Sequence, residues 1–181
     1  TATSATITGL VNGTDYAFYV TAINATGNSS YAISATATPY TTPGTPTGLT
    51  ATQGVAQVAL SWTAPSSDGG ATLTDYTVEY SSDSGSTWTT FTDGTSTTAS
   101  TTVTGLSHST TYTFRVSAVN AAGTGTASAT ASVSTATTAG APTSLTATQG
   151  VAEVALSWTA PSSDGGATLT DYTVEYSSDS G

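Results

Sequence analysis

The sequence predicts an all-β protein made of tandem two-sheet sandwiches, each of seven short strands, with one complete unit flanked by two half units. Three observations lead to that reading. Residues 46–85 recur at 142–181, a spacing of 96, with only Gly48/Ser144 and Gln57/Glu153 changed, and 60–85 recurs at 156–181 without a change; self-similarity at a fixed period marks a repeat architecture. Apolar and aromatic residues alternate with Thr and Ser, the period of a half-buried strand rather than of a helix. Clusters of Gly, Pro, Asp and Ser interrupt the alternation at short intervals, the spacing of turns in an all-β domain.

Taken in order, residues 1–39 form the back half of a unit, because a shift of 96 places Ile7 on Val103, Leu10 on Leu106, Tyr16 on Tyr112, Phe18 on Phe114, Val20 on Val116, Asn24 on Asn120 and Gly27 on Gly123. Residues 40–46 read as a linker, and the stretch PYTTPGTP from Pro39 holds three prolines that fix φ and stiffen an extended chain. The complete unit spans 47–135. Its strands are expected at 49–53, 55–63, 72–81, 86–92, 100–104, 111–119 and 126–134. Val58, Leu60 and Trp62 share one face of the second strand, Tyr76, Val78 and Tyr80 one face of the third, and Tyr112, Phe114, Val116 and Ala118 one face of the sixth. Residues 136–141 form a second linker, and 142–181 the front half of a third unit. Both ends fall within a unit, so the expectation is a window on a longer array.

The motifs PTGLTAT from Pro46, LSW ending at Trp62, DYTVEY from Asp75 and TGLSHSTTYTFRVSAVNAAG from Thr104 together resemble the fibronectin type III domain, the cysteine-free relative of the immunoglobulin-like sandwich. The resemblance covers the chain outside the linkers. It implies that Trp62 is central to the core and that Leu106 and Tyr112 form a tyrosine corner, with Trp158, Leu10 and Tyr16 as their copies. The structural core is accordingly expected at Trp62, Tyr76, Leu106, Tyr112 and Phe114, and at the copies Trp158, Tyr172 and Tyr16. The RGD tripeptide of some family members is missing, so adhesion through it does not carry over.

Composition narrows the chemistry. Cys, Met and Lys are absent and Arg115 is the only strong base, which removes disulfides, thiol nucleophiles, Schiff bases and Lys–Asn cross-links. A net charge of −10 argues against nucleic acid and anionic membranes, whose phosphates are met by Lys and Arg. No apolar run approaches the roughly 20 residues that span a bilayer, so no membrane insertion is expected.

The remaining constellations read as structure. His108, the only histidine, lies among Ser107, Ser109 and Thr110, but neighbours on a turn point apart, and the other repeat carries Asn12 and Gly13 there. Asp68 and its copy Asp164 precede Gly-Gly; one carboxylate is too few for Ca²⁺, and an Asp-Gly turn explains the pattern. Asp75 and Glu79 share a strand face, yet positions i and i+4 on a strand are about 13 Å apart, beyond glycosidase geometry, and they read as solubilising charges. Neither catalytic residues, cofactor nor metal is therefore expected. Trp88 and Phe91 are the candidate surface aromatics for stacking on sugars. Three N-x-S/T sequons stand at Asn12, Asn24 and Asn28.

The function expected from these features is that of a non-catalytic repeat segment of a large bacterial extracellular surface or filament protein: a stalk, adhesin shaft or fibre. The alternative is an accessory module of a secreted polysaccharide-degrading enzyme, and a third reading is decoration of a virion tail. The expected partners are neighbouring repeats, head to tail, in the same or an identical chain, with polysaccharide or cell-surface glycans as the second partner class.

Overall fold

The structure is a computed structural model that describes residues 1–178. Twelve strands and no helix occur among them. The terminal hairpin at the N-terminus consists of β1 (Tyr19–Asn24) and β2 (Gly27–Ile33). The central sandwich comprises β3 (Thr47–Gly54), β4 (Gln57–Thr63), β5 (Asp75–Ser81), β6 (Thr89–Phe91), β7 (Ser100–Thr104), β8 (Thr111–Asn120), β9 (Gly123–Thr124) and β10 (Ala131–Ser134). A C-terminal hairpin of β11 (Thr143–Gln149) and β12 (Val154–Thr159) follows.

One central sheet has the order β3-β4-β7 and the other β10-β8-β5-β6, with β9 also paired to β8; all pairings are antiparallel. Alternation along β4 shows how the core arises: Val58, Leu60 and Trp62 are buried while Gln57, Ala59, Ser61 and Thr63 are exposed. Opposite them Tyr76 and Val78 of β5 and Tyr112, Phe114, Val116 and Ala118 of β8 close a single cluster with Val103 and Leu106. Two inner faces interdigitating in this way are the usual core of a β-sandwich.

Several boundaries differ from the pattern-based expectation. The third strand begins at Asp75 rather than 72, and the fourth is confined to Thr89–Phe91. The expected closing strand at 126–134 is reduced to Ala131–Ser134, with the short β9 added before it. Ser128 accounts for the interruption. Its Oγ accepts the Val116 N–H at 3.1 Å and donates to Ala129 O at 2.8 Å, so a side chain stands where a ladder carbonyl would pair. The position 96 residues earlier is Ala32, and there β2 continues to Ile33, ending where Ser34 Oγ takes the Phe18 N–H at 2.9 Å. Hydroxyl side chains thus set the strand ends in a chain rich in them.

The C-terminal hairpin reproduces the register of its central counterpart. β11 and β12 pair Thr143 with Thr159 and Thr146 with Ser157, as β3 and β4 pair Thr47 with Thr63 and Thr50 with Ser61, with the same irregularity between. The residue within that bulge has positive φ in both copies, +63° at Gly48 and +55° at Ser144. No strand of either hairpin joins a central sheet.

Candidate functional site

Within the core, the Trp62 and Tyr76 rings meet edge to face, 5.1 Å between centroids at 69°, and the Trp62 indole N–H is buried with no acceptor in reach. Tyr112 runs beneath the loop before β8, and its hydroxyl oxygen accepts the Ser107 N–H at 3.1 Å while Leu106 lies buried beside it. The same bond forms in the N-terminal hairpin, from Val11 N–H to Tyr16 Oη at 3.1 Å. Trp158 and Tyr172 repeat the edge-to-face pair at 5.3 Å and 66°, but both are only half-buried.

The C-terminal hairpin and the segment after it also carry a groove of about 240 Å³ lined by Pro142, Leu145, Leu156, Trp158, Tyr172 and Val174, with Thr173 and Glu175 completing it. The six apolar and aromatic lining residues copy central ones that are buried in the core or packed against it, Pro46, Leu49, Leu60, Trp62, Tyr76 and Val78, whereas Thr173 and Glu175 copy Thr77 and Glu79 on the other face of β5. The groove is therefore lined largely by copies of core residues from both sheets of the central sandwich.

The polar candidates are each engaged locally. His108 is exposed and its Nδ1 lies 3.2 Å from Ala136 O; a carbonyl only accepts, so that nitrogen carries the proton. Asp68 Oδ1 accepts the Gly70 N–H at 2.8 Å, and Asp164 Oδ1 accepts the Gly166 N–H at the same distance. Asp75 Oδ1 accepts the N–H groups of Tyr76 and, across the sheet end, Ser96. Glu79 binds Arg115, Nε to Oε2 at 2.8 Å, so the two carboxylates read as free solubilising charges each hold a specific partner. Asp83, absent from the sequence-based candidates, organises the turn after β5. It accepts the Ser81 hydroxyl at 2.6 Å and the Thr87 hydroxyl and N–H at 2.6 and 2.9 Å, and these bonds hold its carboxyl pKa down at about 2.

Trp88 and Phe91 do not form one platform. Phe91 is half-buried and packs against the core. Trp88 precedes β6, and the Arg115 guanidinium sits 4.1 Å from its ring centroid, a cation–π contact that covers one face of the indole. The more open aromatic pair is Tyr19 and Tyr31, 62% and 61% exposed, edge to face at 5.3 Å. Register places them on the opposite side of the hairpin from Tyr16 and Phe18, with Ile23 and Ile33, both exposed, on the same outer face. A sequence signal existed: a shift of 96 exchanges Tyr19 for Arg115, Tyr31 for Ala127 and Ile33 for Ala129, so this patch is not copied. Of the sequons, Asn24 Oδ1 is tied into its own turn by the Thr26 N–H and hydroxyl at 2.9 and 2.6 Å.

This arrangement, two antiparallel sheets around an inward Trp and a Tyr whose hydroxyl anchors the preceding loop, agrees with the comparison to known families, in which the fibronectin type III domain matches residues 44–134. The chain belongs to the fibronectin type III family. Among curated proteins it is similar to Chitinase A1 of Niallia circulans, 38% identical over 132 residues, covering 68% of this chain and 18% of that protein. The chain thus spans less than a fifth of that relative's length. Among solved structures, a run of domains from titin superposes with a TM-score of 0.51 at 29% identity, over 59% of this chain and 37% of that one. A titin kinase structure with its flanking domains shares 32% identity at a TM-score of 0.48, over 52% of this chain and 17% of that one. No helix among the described residues is long and apolar enough to cross a membrane.

Proposed function

We propose that this fibronectin type III chain is a non-catalytic structural segment of a large bacterial extracellular protein, a stalk, shaft or fibre in which copied sandwiches set length. The observation that carries the reading is the 96-residue period itself, at which residues 46–85 recur at 142–181 with only two changes. In the central sandwich the same sequence packs with Tyr112, Phe114 and Val116 of β8 in one core, and Tyr16, Phe18 and Val20 are the copies of those three. Neighbouring repeats, head to tail, in the same or an identical chain, are the proposed partners. A sandwich whose longer strands run from Gln57 to Thr63 and from Thr111 to Asn120 adds about 2–3 nm along the array. Surface labelling of intact cells with an antibody to the central sandwich, combined with electron microscopy, tests the reading. Label on unpermeabilised cells, on projections whose length follows the number of repeats in the reading frame, is the expected result. Label that appears only after permeabilisation contradicts it.

A second reading, an accessory module of a secreted polysaccharide-degrading enzyme, is favoured by the similarity to a chitinase and by the exposed Tyr19–Tyr31 face, since flat neutral aromatics stack on sugar rings. Calorimetric titration of the chain with chitin oligosaccharides discriminates. Micromolar binding that disappears in both Tyr31→Ala and Tyr19→Ala would place this reading first; the stalk reading expects no measurable heat.

A further inference from the structure

Residues 40–46 and 136–141 connect the hairpins to the central sandwich, and their composition reads as extended linker. Their backbone groups are nevertheless bonded. At the first junction the Thr41 N–H donates to Gly69 O and the Gly44 N–H to Ser67 O, both at 2.9 Å. At the second, 96 residues on, Thr137 donates to Gly165 O at 2.8 Å and Gly140 to Ser163 O at 2.9 Å. Each connecting segment is thus laid along the S-S-D-G-G turn that follows it, held by two backbone hydrogen bonds. At the first junction the Asn120 amide, buried at the end of β8, adds donations to Thr41 O at 2.8 Å and Asp68 O at 2.7 Å.

The preceding unit holds the same segment from the other side. The Gly13 N–H donates to Pro39 O at 2.8 Å, just after the Tyr16–Ala37 bridge. At the second junction the Ala136 N–H donates to Gly54 O at 2.9 Å and its carbonyl faces His108 Nδ1. One residue, Tyr40, separates the two anchors at the first junction. None separates them at the second, where Ala136 belongs to one unit and Thr137 to the next. Loop freedom needs rotatable residues between fixed points, and here there are one and zero.

We infer that the S-S-D-G-G turn of each unit is a docking surface for the T-T-x-G segment arriving from the unit before it, and that this clasp fixes the orientation of consecutive units. The turn's glycines fit the role. Gly69 and Gly165 have φ of +79° and +73°, and a Cβ on either would stand 2.2 Å from the carbonyl oxygen of Thr41 or Thr137. At the first junction a Cβ on Gly70 would stand 2.3 Å from the backbone N of Gly13, so there the following unit's turn lies directly against the preceding unit's loop; a Cβ on Gly166 at the second would meet Ala136 Cα at 4.0 Å. Bound in this way, consecutive units behave as a rod, not as beads on a flexible string. The inference concerns the junction alone and holds whichever functional reading is correct.

Amide hydrogen exchange on the full chain, read by nuclear magnetic resonance, tests it. The Thr41, Gly44, Thr137 and Gly140 amides are expected to exchange about a hundredfold slower than in an unstructured peptide, as locally bonded groups do. Gly69→Ala should abolish protection at Thr41 and Gly44 and leave Thr137 and Gly140 unchanged, and Gly165→Ala should do the reverse. Gly94→Ala is the control, because Gly94 has a similar φ of +82° with open space around its missing Cβ; it should alter neither junction. If Gly69→Ala unfolds the sandwich, judged by exchange in β4 and β8, Thr41→Pro replaces it, deleting the donor itself, and Gly44 protection should fall. Wild-type junction amides exchanging at the free-peptide rate, or protection surviving these substitutions, would overturn the clasp.

Discussion

Residues 60–78 and 156–174 have the same sequence and different structures. In the first copy Leu60 is 2% exposed and Val78 is fully buried; in the second Leu156 is 41% and Val174 55% exposed. The β3–β4 hairpin survives the transfer with its register and bulge intact as β11–β12, whereas the sequence of β5, repeated from Asp171, forms no strand. The reason lies in where each strand finds its partner. A hairpin satisfies its backbone groups with residues adjacent in sequence. β5 pairs with β8 and β6, and among the described residues of the second copy no equivalent strand lies beside it. Local sequence therefore determines hairpin and register, and burial follows only where the second sheet is present.

The sharpest way to break this comparison is to truncate the same side chain in both copies. Trp62→Ala should destabilise the central sandwich by about 3–5 kcal/mol, the cost of emptying a core aromatic site, measured by chemical denaturation of the full chain. Trp158→Ala should leave the same transition within about 0.5 kcal/mol. Equal losses would mean that the C-terminal face is covered in solution. Trp62→Phe should cost well below the alanine variant, because the lost N–H has no acceptor and the edge-to-face contact with Tyr76 can persist.

A smaller difference is expected at the paired corners. Tyr112→Phe leaves the Ser107 N–H without its acceptor; Ser107 is exposed and can turn to water, so the loss should be about 1 kcal/mol. Tyr16→Phe removes the same bond from a hairpin with no covered core, and the main unfolding transition should not move.

Much of this was legible in the sequence. The period gave the copies, and alternation gave the inward faces of β4, β5 and β8, because those strands are hydrophobic on one side only. The strand ends at Ser128 and Ser34 were not legible, since a hydroxyl can point to water or replace a ladder carbonyl, and only the opposite strand decides which. Residues 41–44 and 137–140 looked like free linker because Thr, Pro and Gly describe an extended chain equally well when it is solvated and when it is docked on a neighbouring turn. Trp88 looked like an open platform because its cover, Arg115, lies on β8, remote in sequence and adjacent only through the β5–β6 and β5–β8 pairings.

The smallest effect concerns acid. Asp83 titrates at about 2 in the folded chain, below the ordinary value of 3.8, because the Ser81 and Thr87 hydroxyls and the Thr87 N–H donate to it. A depressed carboxyl pKa stabilises the fold above the unfolded value and loses that contribution as pH falls from about 4 through about 2. Asp83→Asn should flatten the stability profile in that window and leave its shape near neutrality unchanged, as read from denaturation midpoints across pH. An unaltered acid limb would remove Asp83 from the account. The copy, Asp179, lies outside the described residues.

The most direct test follows the identical segments within one molecule. Exchange of the β5 amides, Tyr76 to Ser81, should be slowed to the limit set by global unfolding of the central sandwich, while the amides of Tyr172 to Tyr176 exchange near the free-peptide rate. Equal protection in the two copies would contradict the claim that pairing with β6 and β8, and not the local sequence, makes this strand.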